Sequence, residues 1–425
     1  MPDLLRPWRK LGLGIATLVV LAACRPATAP TTGAYIFLWA GDSAEKASDF
    51  LAVIDANPAS AKYGSVVTTL PIGATGTHPH HTEAELPANG HLLANGFHAG
   101  RTWLFDLTEP TRPKILAEFG DLAGFSHPHT FLRLSNGNVL ATYQYKASPS
   151  TDKNGRAAMH MGAGHETGGL VEMDERGTVV RSGSAVDDAI ADKRIYPYSV
   201  IEMRAVDRAI STTTDMDHED TVSTAEWVQV WRLSDLKLLK SIALKPGPRG
   251  DEQKLTGEPH LLPDGKSVYI HTFSCGLYLV RDVDSATPTA TFVNGFQGMD
   301  CGVPILTGHW WLQPVPDAHS LVALDITDPE HPREVSSVSF GADEAPHWIA
   351  IDPSGRRVVL NSGGVPKPNG NRLYVVDFDP ASGRLAIDAR FKDPGSDRPG
   401  IAMTGRTWPH GVTGTALPHG TVFSR

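Results

Sequence analysis

The chain has 425 residues, 41% hydrophobic and 20% charged, a balance that supports a sizeable buried core. Its net charge is −9 with histidine neutral, and no block of lysine or arginine stands out, which argues against a nucleic-acid partner. Forty-one glycines and 32 prolines suit many short strands joined by tight turns.

The first segment reads as a leader rather than as part of the fold. Arg6, Arg9 and Lys10 form a positive head, Leu11 to Ala22 an apolar run, and Leu21-Ala22-Ala23-Cys24 ends it. That ending resembles the bacterial lipoprotein signal, which implies a signal peptide over residues 1–23 and lipidation of Cys24. Residues 24–33 then form the lipidated cysteine and a flexible stalk rich in Pro, Ala and Thr. The expected location is the periplasmic side of a bacterial membrane, outer rather than inner, with the lipid as the membrane contact. No later stretch is long and apolar enough to cross a bilayer.

From residue 34 to 425 the pattern is strand, turn, strand without a convincing helix. A two-strand unit recurs seven times: Asp49–Leu70, Arg101–Phe119, Gly168–Ser182, Trp227–Leu244, Cys275–Val293, Ser320–Phe340 and Asn371–Phe391. Each begins with an apolar run such as FLAVID, TWLFDL or LVALDI and continues, after a turn, into a second run. A preceding pair of strands recurs around Pro, Asp or Asn-Gly turns, as at Leu262-Pro263-Asp264-Gly265 and Leu417-Pro418-His419-Gly420. Four antiparallel strands per unit and seven units predict an all-β, seven-bladed β-propeller. The last blade is expected to close with strands from both ends of the chain.

A Pro-His pair stands where most units begin: Pro79-His80-His81, Pro128-His129, Pro259-His260, Pro346-His347 and Pro409-His410. Tyr196-Pro197-Tyr198 and Met299-Asp300-Cys301-Gly302 occupy the remaining two places. First strands of propeller blades line the central channel, so these residues should meet at one mouth. Neutral imidazoles in such a ring suit copper, zinc, nickel or iron. Apart from Asp300 the ring shows no carboxylate, which argues against calcium or magnesium. Cys275 and Cys301 remain after Cys24; in an oxidising compartment such a pair often forms a disulfide, with metal ligation or free thiols as the alternatives.

The block Asp49-Phe50-Leu51-Ala52-Val53-Ile54-Asp55, then Pro58-Ala59-Ser60, Tyr63, Leu70-Pro71 and His80-His81, resembles the selenium-binding protein family. Its bacterial members include copper-dependent methanethiol oxidases. His129-Thr130 with Gly137, the stretch Ser320–Pro332, and His410 fit later family segments. The resemblance implies a copper ion near the axis held by His80, His81, His129 and His410. It also implies oxidation of a small thiol or sulfur compound with dioxygen. The chain departs from the family pattern at Pro87, where a selenium-associated cysteine stands, and at Leu132, which replaces a histidine. His260 and His347 are additional and are read as catalytic, proton-moving residues.

Two further clusters have both a functional and a bland reading. Met159-His160-Met161 and His165, in the loop 146–168, form either a lid or copper-loading segment or a surface insertion. Asp215-Met216-Asp217-His218-Glu219-Asp220 lacks the spacing of a calcium loop and reads as a solvated acidic loop. The alternative to an oxidoreductase is a non-catalytic propeller on the cell envelope that binds a metal, a small ligand or a partner protein.

Overall fold

The computed structural model describes residues 32–147, 166–216, 225–363, 367 and 369–425. The leader, Cys24 and the stalk up to Thr31 lie outside the described residues, as do Met159, His160, Met161, His165 and the stretch 217–220. Among the described residues there are strands and three short 3-10 turns, and no α-helix.

Strand character follows from composition and position. The recurring apolar runs are buried on both faces, as in Phe50–Asp55 and Gly276–Arg281, because each lies between two neighbouring sheets. The strands after them mix half-buried and exposed residues, as in Thr289–Gly295 and Arg333–Ser339, because they form the outer rim. Beside one two-stranded hairpin, seven antiparallel sheets of four or five strands result among the described residues; the four main strands of each run in chain order apart from the sheet that joins the two ends. These are the blades of a propeller. Their innermost strands are Pro79–Thr82, Phe125–Arg133, Pro197–Met203, Thr256–Leu261, Ile305–Thr307, Pro346–Ile351 and Ala416–Phe423.

The seventh blade closes the ring. Its innermost strand, Ala416–Phe423, pairs with Tyr35–Asp42, which pairs in turn with Phe50–Asp55 and then Val66–Pro71. Tyr35–Asp42 is therefore the second strand of this blade. The core is a series of apolar seams between blades. In one, Trp39 and Leu51 of the closing blade meet Trp103 and Phe105 of the first, with the two indoles 5.7 Å apart.

Cys275 and Cys301 are joined by a disulfide, with their Cα atoms 5.1 Å apart and both residues fully buried. Cys275 sits in the hairpin between Val268–Thr272 and Gly276–Arg281, and Cys301 precedes the innermost strand of the next blade. The bond thus ties the fourth blade to the fifth. Closing a loop of this separation stabilises a fold by about 3 kcal/mol. A Cys301→Ser variant is expected to lose about that much in urea unfolding, and an unchanged midpoint would show the bond to be energetically idle.

Candidate metal centre

Six of the seven innermost strands carry a bulge near the channel mouth. In the first blade Pro79 pairs with Gly96 and Thr82 with Ala94, so His80 and His81 together face the single residue Asn95. Likewise His129 and Thr130 face Thr142, Tyr198 and Ser199 face Thr212, and Gly257 and Glu258 face His271. His347 is the extra residue in the sixth blade, and His419 with Gly420 faces Trp39 in the seventh. Neighbours in a regular strand point to opposite faces. Two residues against one break that alternation, so both histidines of the first blade serve the channel.

In the first four blades the residue opposite the bulge supplies the polar group that holds it. Asn95 Oδ1 accepts the His81 N–H at 2.7 Å, and Asn95 Nδ2 donates to the Pro128 carbonyl at 2.7 Å. Thr142 Oγ1 accepts the Thr130 N–H at 3.0 Å and donates to the Tyr198 carbonyl at 2.8 Å. Thr212 Oγ1 accepts from Ser199 N at 3.2 Å, and His271 Nδ1 from Glu258 N at 2.8 Å. The first bulge is thus stitched to the second, and the second to the third.

His80, His81 and His129 are brought together, with one nitrogen of each inside a spread of 4.8 Å. They are 3%, 1% and 0% exposed. The His80 ring lies 4.6 Å from that of His81, 4.8 Å from that of His129 and 4.1 Å from that of His419. His419 Nε2 is 3.1 Å from His347 Nε2. Burial holds His80, His81 and His419 well below the ordinary histidine range, and the neighbouring imidazoles lower them further. Burial also lowers His129 to about 3 and His347 to about 4. All five are therefore neutral at neutral pH, the form that ligates a metal.

Two expected positions fall elsewhere. His410 lies in a separate hairpin, Arg406–Thr407 with Thr413–Gly414, where its Nδ1 meets Thr69 Oγ1 at 2.8 Å and its ring packs on Phe50. The innermost place in that blade belongs to Pro418-His419. In the fourth blade the bulge precedes the proline, so Glu258 takes the ring position and His260 sits farther along, its ring 5.1 Å from that of Trp311. The carboxylate at the ring is thus Glu258, while Asp300 is exposed.

Glu258 Oε1 is 3.7 Å from His81 Nδ1, and its other oxygen accepts from the Ser199 hydroxyl. Burial pushes this carboxyl up to about 7, against the lowering effect of the Ser199 bond. Tyr198 OH is 3.0 Å from His81 Nε2. Glu258 and His419 carried no signal apart from their place in the repeat, because the bulge register is not written in the innermost strand alone.

The donor set fits a borderline first-row metal ion. His129 Nδ1 meets the Tyr198 carbonyl at 2.8 Å, which fixes the N–H there and leaves Nε2 as a lone pair. That Nε2, His80 Nδ1 and His419 Nδ1 are buried without a hydrogen-bond partner. Metal–nitrogen bonds of about 2 Å place two donors at most about 4 Å apart. The three nitrogens, within 4.8 Å of one another, would have to close by somewhat under about 1 Å around an ion. An Asn95→Ala variant should release the His80-His81 bulge and weaken metal binding by about 10- to 100-fold, read by competition with a chromogenic chelator. Unchanged affinity would mean that the bulge holds itself.

No protein-family model matches the chain. The methanethiol oxidase of Hyphomicrobium sp is 31% identical over 140 residues, which cover 29% of this chain and 31% of that protein's length. Among solved structures, a selenium-binding protein of Sulfolobus tokodaii, described as hypothetical, superposes with a TM-score of 0.68 and 16% identity. That match covers 93% of this chain and 94% of the other. The chain is distantly similar to this family. The periplasmic gluconolactonase of Pseudomonas aeruginosa also superposes, with a TM-score of 0.56 and 16% identity over 92% of this chain and 99% of its own. At such identities the structural matches speak for the propeller fold alone.

Proposed function

We propose that the protein is a copper-dependent oxidoreductase that acts on a small thiol or sulfur compound with dioxygen, as a lipid-anchored protein on the periplasmic side of a bacterial membrane. The observation that carries the reading is the buried, neutral group His80, His81 and His129 at the channel mouth. The stretch of similarity to methanethiol oxidase points to the same chemistry. Zinc would fit the same imidazoles.

When bound, copper would supply one-electron chemistry between the sulfur compound and dioxygen. His80, His81 and His129 would hold it, with His419 at the next position around the ring. The Tyr198 carbonyl orients His129, and the Asn95 side chain fixes the backbone of His81. Tyr198 OH, Glu258 and the His347–His419 pair border the same space and can hold or move protons there.

The test is to purify the chain, measure metal by mass spectrometry, load copper and follow oxygen uptake with methanethiol. Thiol-dependent uptake is expected, and a copper-loaded protein inert toward thiols would remove the oxidase reading. A second reading, a non-catalytic propeller that binds a metal, a small ligand or a partner protein, is favoured by His81, whose two nitrogens already meet Thr130 Oγ1 and Tyr198 OH. Binding without thiol-dependent oxygen uptake would select it.

A further inference from the structure

Beside the buried group stands a second pair of imidazoles that the proposed chemistry does not use. The rings of His78 and His98 are 4.1 Å apart, and the His78 ring is 5.4 Å from that of His80. His78 and His98 are only partly buried, whereas His80 is 3% exposed. The line His98, His78, His80 therefore runs from solvent into the site in steps of about one ring.

The backbone holds this pair in place. The buried Asp49 carboxylate accepts from Thr77 N at 2.7 Å and from Thr77 Oγ1 at 2.6 Å, anchoring the residue before His78. The His78 carbonyl accepts the Phe97 N–H at 2.9 Å, next to His98, and the Thr77 carbonyl accepts the Ala99 N–H at 3.3 Å. Gly96 is required in this clamp, since a Cβ there would lie 2.8 Å from Thr77 Cβ. His78 itself has φ 54°, a left-handed conformation uncommon for a residue with a Cβ. Such backbone persists where the surroundings fix it, and it gathers at ligand sites.

We propose that His98 and His78 form an outer metal-holding pair that takes up the ion and passes it to His80 and its buried neighbours. This inference rests on the reading of His80, His81 and His129 as a metal centre. The ligand is a borderline or soft first-row cation, the class that imidazole donors suit. Only metal–nitrogen bonds are made and broken. With adjacent rings 4.1 and 5.4 Å apart, an ion could keep one imidazole while the next engages.

The experiment is copper uptake by the purified, metal-free full chain, with copper(I) presented as its bicinchoninate complex and loss of the complex followed in time. The double variant His78→Asn with His98→Ala keeps a residue tolerant of the left-handed conformation at position 78. It should load on the order of tenfold more slowly than wild type while reaching the same final copper per chain. His331→Ala, an exposed histidine, is the control and should load at the wild-type rate. Wild-type kinetics in the double variant would overturn the proposal. So would complete loss of copper from a double variant whose circular dichroism matches wild type, because the pair would then belong to the centre itself. A wild-type chain that takes up no copper would instead overturn the metal centre and this path together.

Discussion

Replacing His129 by alanine is expected to abolish stable metal binding while the propeller remains folded. His129 Nε2 is buried and unpartnered, and its other nitrogen is committed to the Tyr198 carbonyl. Removing the ring deletes the best-prepared donor of the group, at a cost in affinity of at least about 100-fold. The fold should survive because the Tyr198 carbonyl keeps the hydroxyl of Thr142 as a donor. Metal per chain after dialysis, with circular dichroism alongside, reads both halves. His410→Ala is the matched comparison. Its ring lies on Phe50 in an outer hairpin, so metal content should stay at the wild-type level.

Acid should unfold the metal-free protein over a defined window. Burial lowers His260 and His347 to about 4 and His271 to about 3, against an ordinary value near 6.5. A depressed histidine contributes stability that is complete above the unfolded value and is lost as pH falls toward the folded one. Between about pH 6.5 and 4 the unfolded chain therefore binds more protons than the native one. Each such group adds a slope of up to about 1.4 kcal/mol per pH unit. Urea midpoints of the metal-free chain should be level above pH 7 and fall steeply from pH 6.5 to 4. A flat profile across that range would mean that the imidazoles are hydrated in the native state.

The propeller was legible because its apolar runs repeat at a spacing that turns punctuate. FLAVID, TWLFDL and LVALDI each become the third strand of a blade, buried on both faces. The channel histidines of the first two blades were legible for a related reason, since proline precedes the bulge at Pro79 and Pro128. The fourth and seventh blades were not. In the fourth, the bulge pair Gly257-Glu258 comes before Pro259, which moves His260 out of step and brings a carboxylate into the ring. In the seventh, Leu417-Pro418-His419-Gly420 has the look of a turn, yet Gly420 is required by a close approach. A Cβ there would sit 2.6 Å from Thr82 N.

What decides each register is the residue across the bulge. Asn95, Thr142, Thr212 and His271 stand inside the second strands and take the stray N–H groups. Their role depends on pairing with a strand some 13 residues away, a relation that local composition does not carry.

The most direct test of the centre is an anomalous difference map from crystals of the copper-loaded chain, collected above and below the copper edge. A single peak within bonding distance of nitrogens of His80, His81 and His129 is predicted. A peak elsewhere in the chain, or none at full copper loading, would contradict the account.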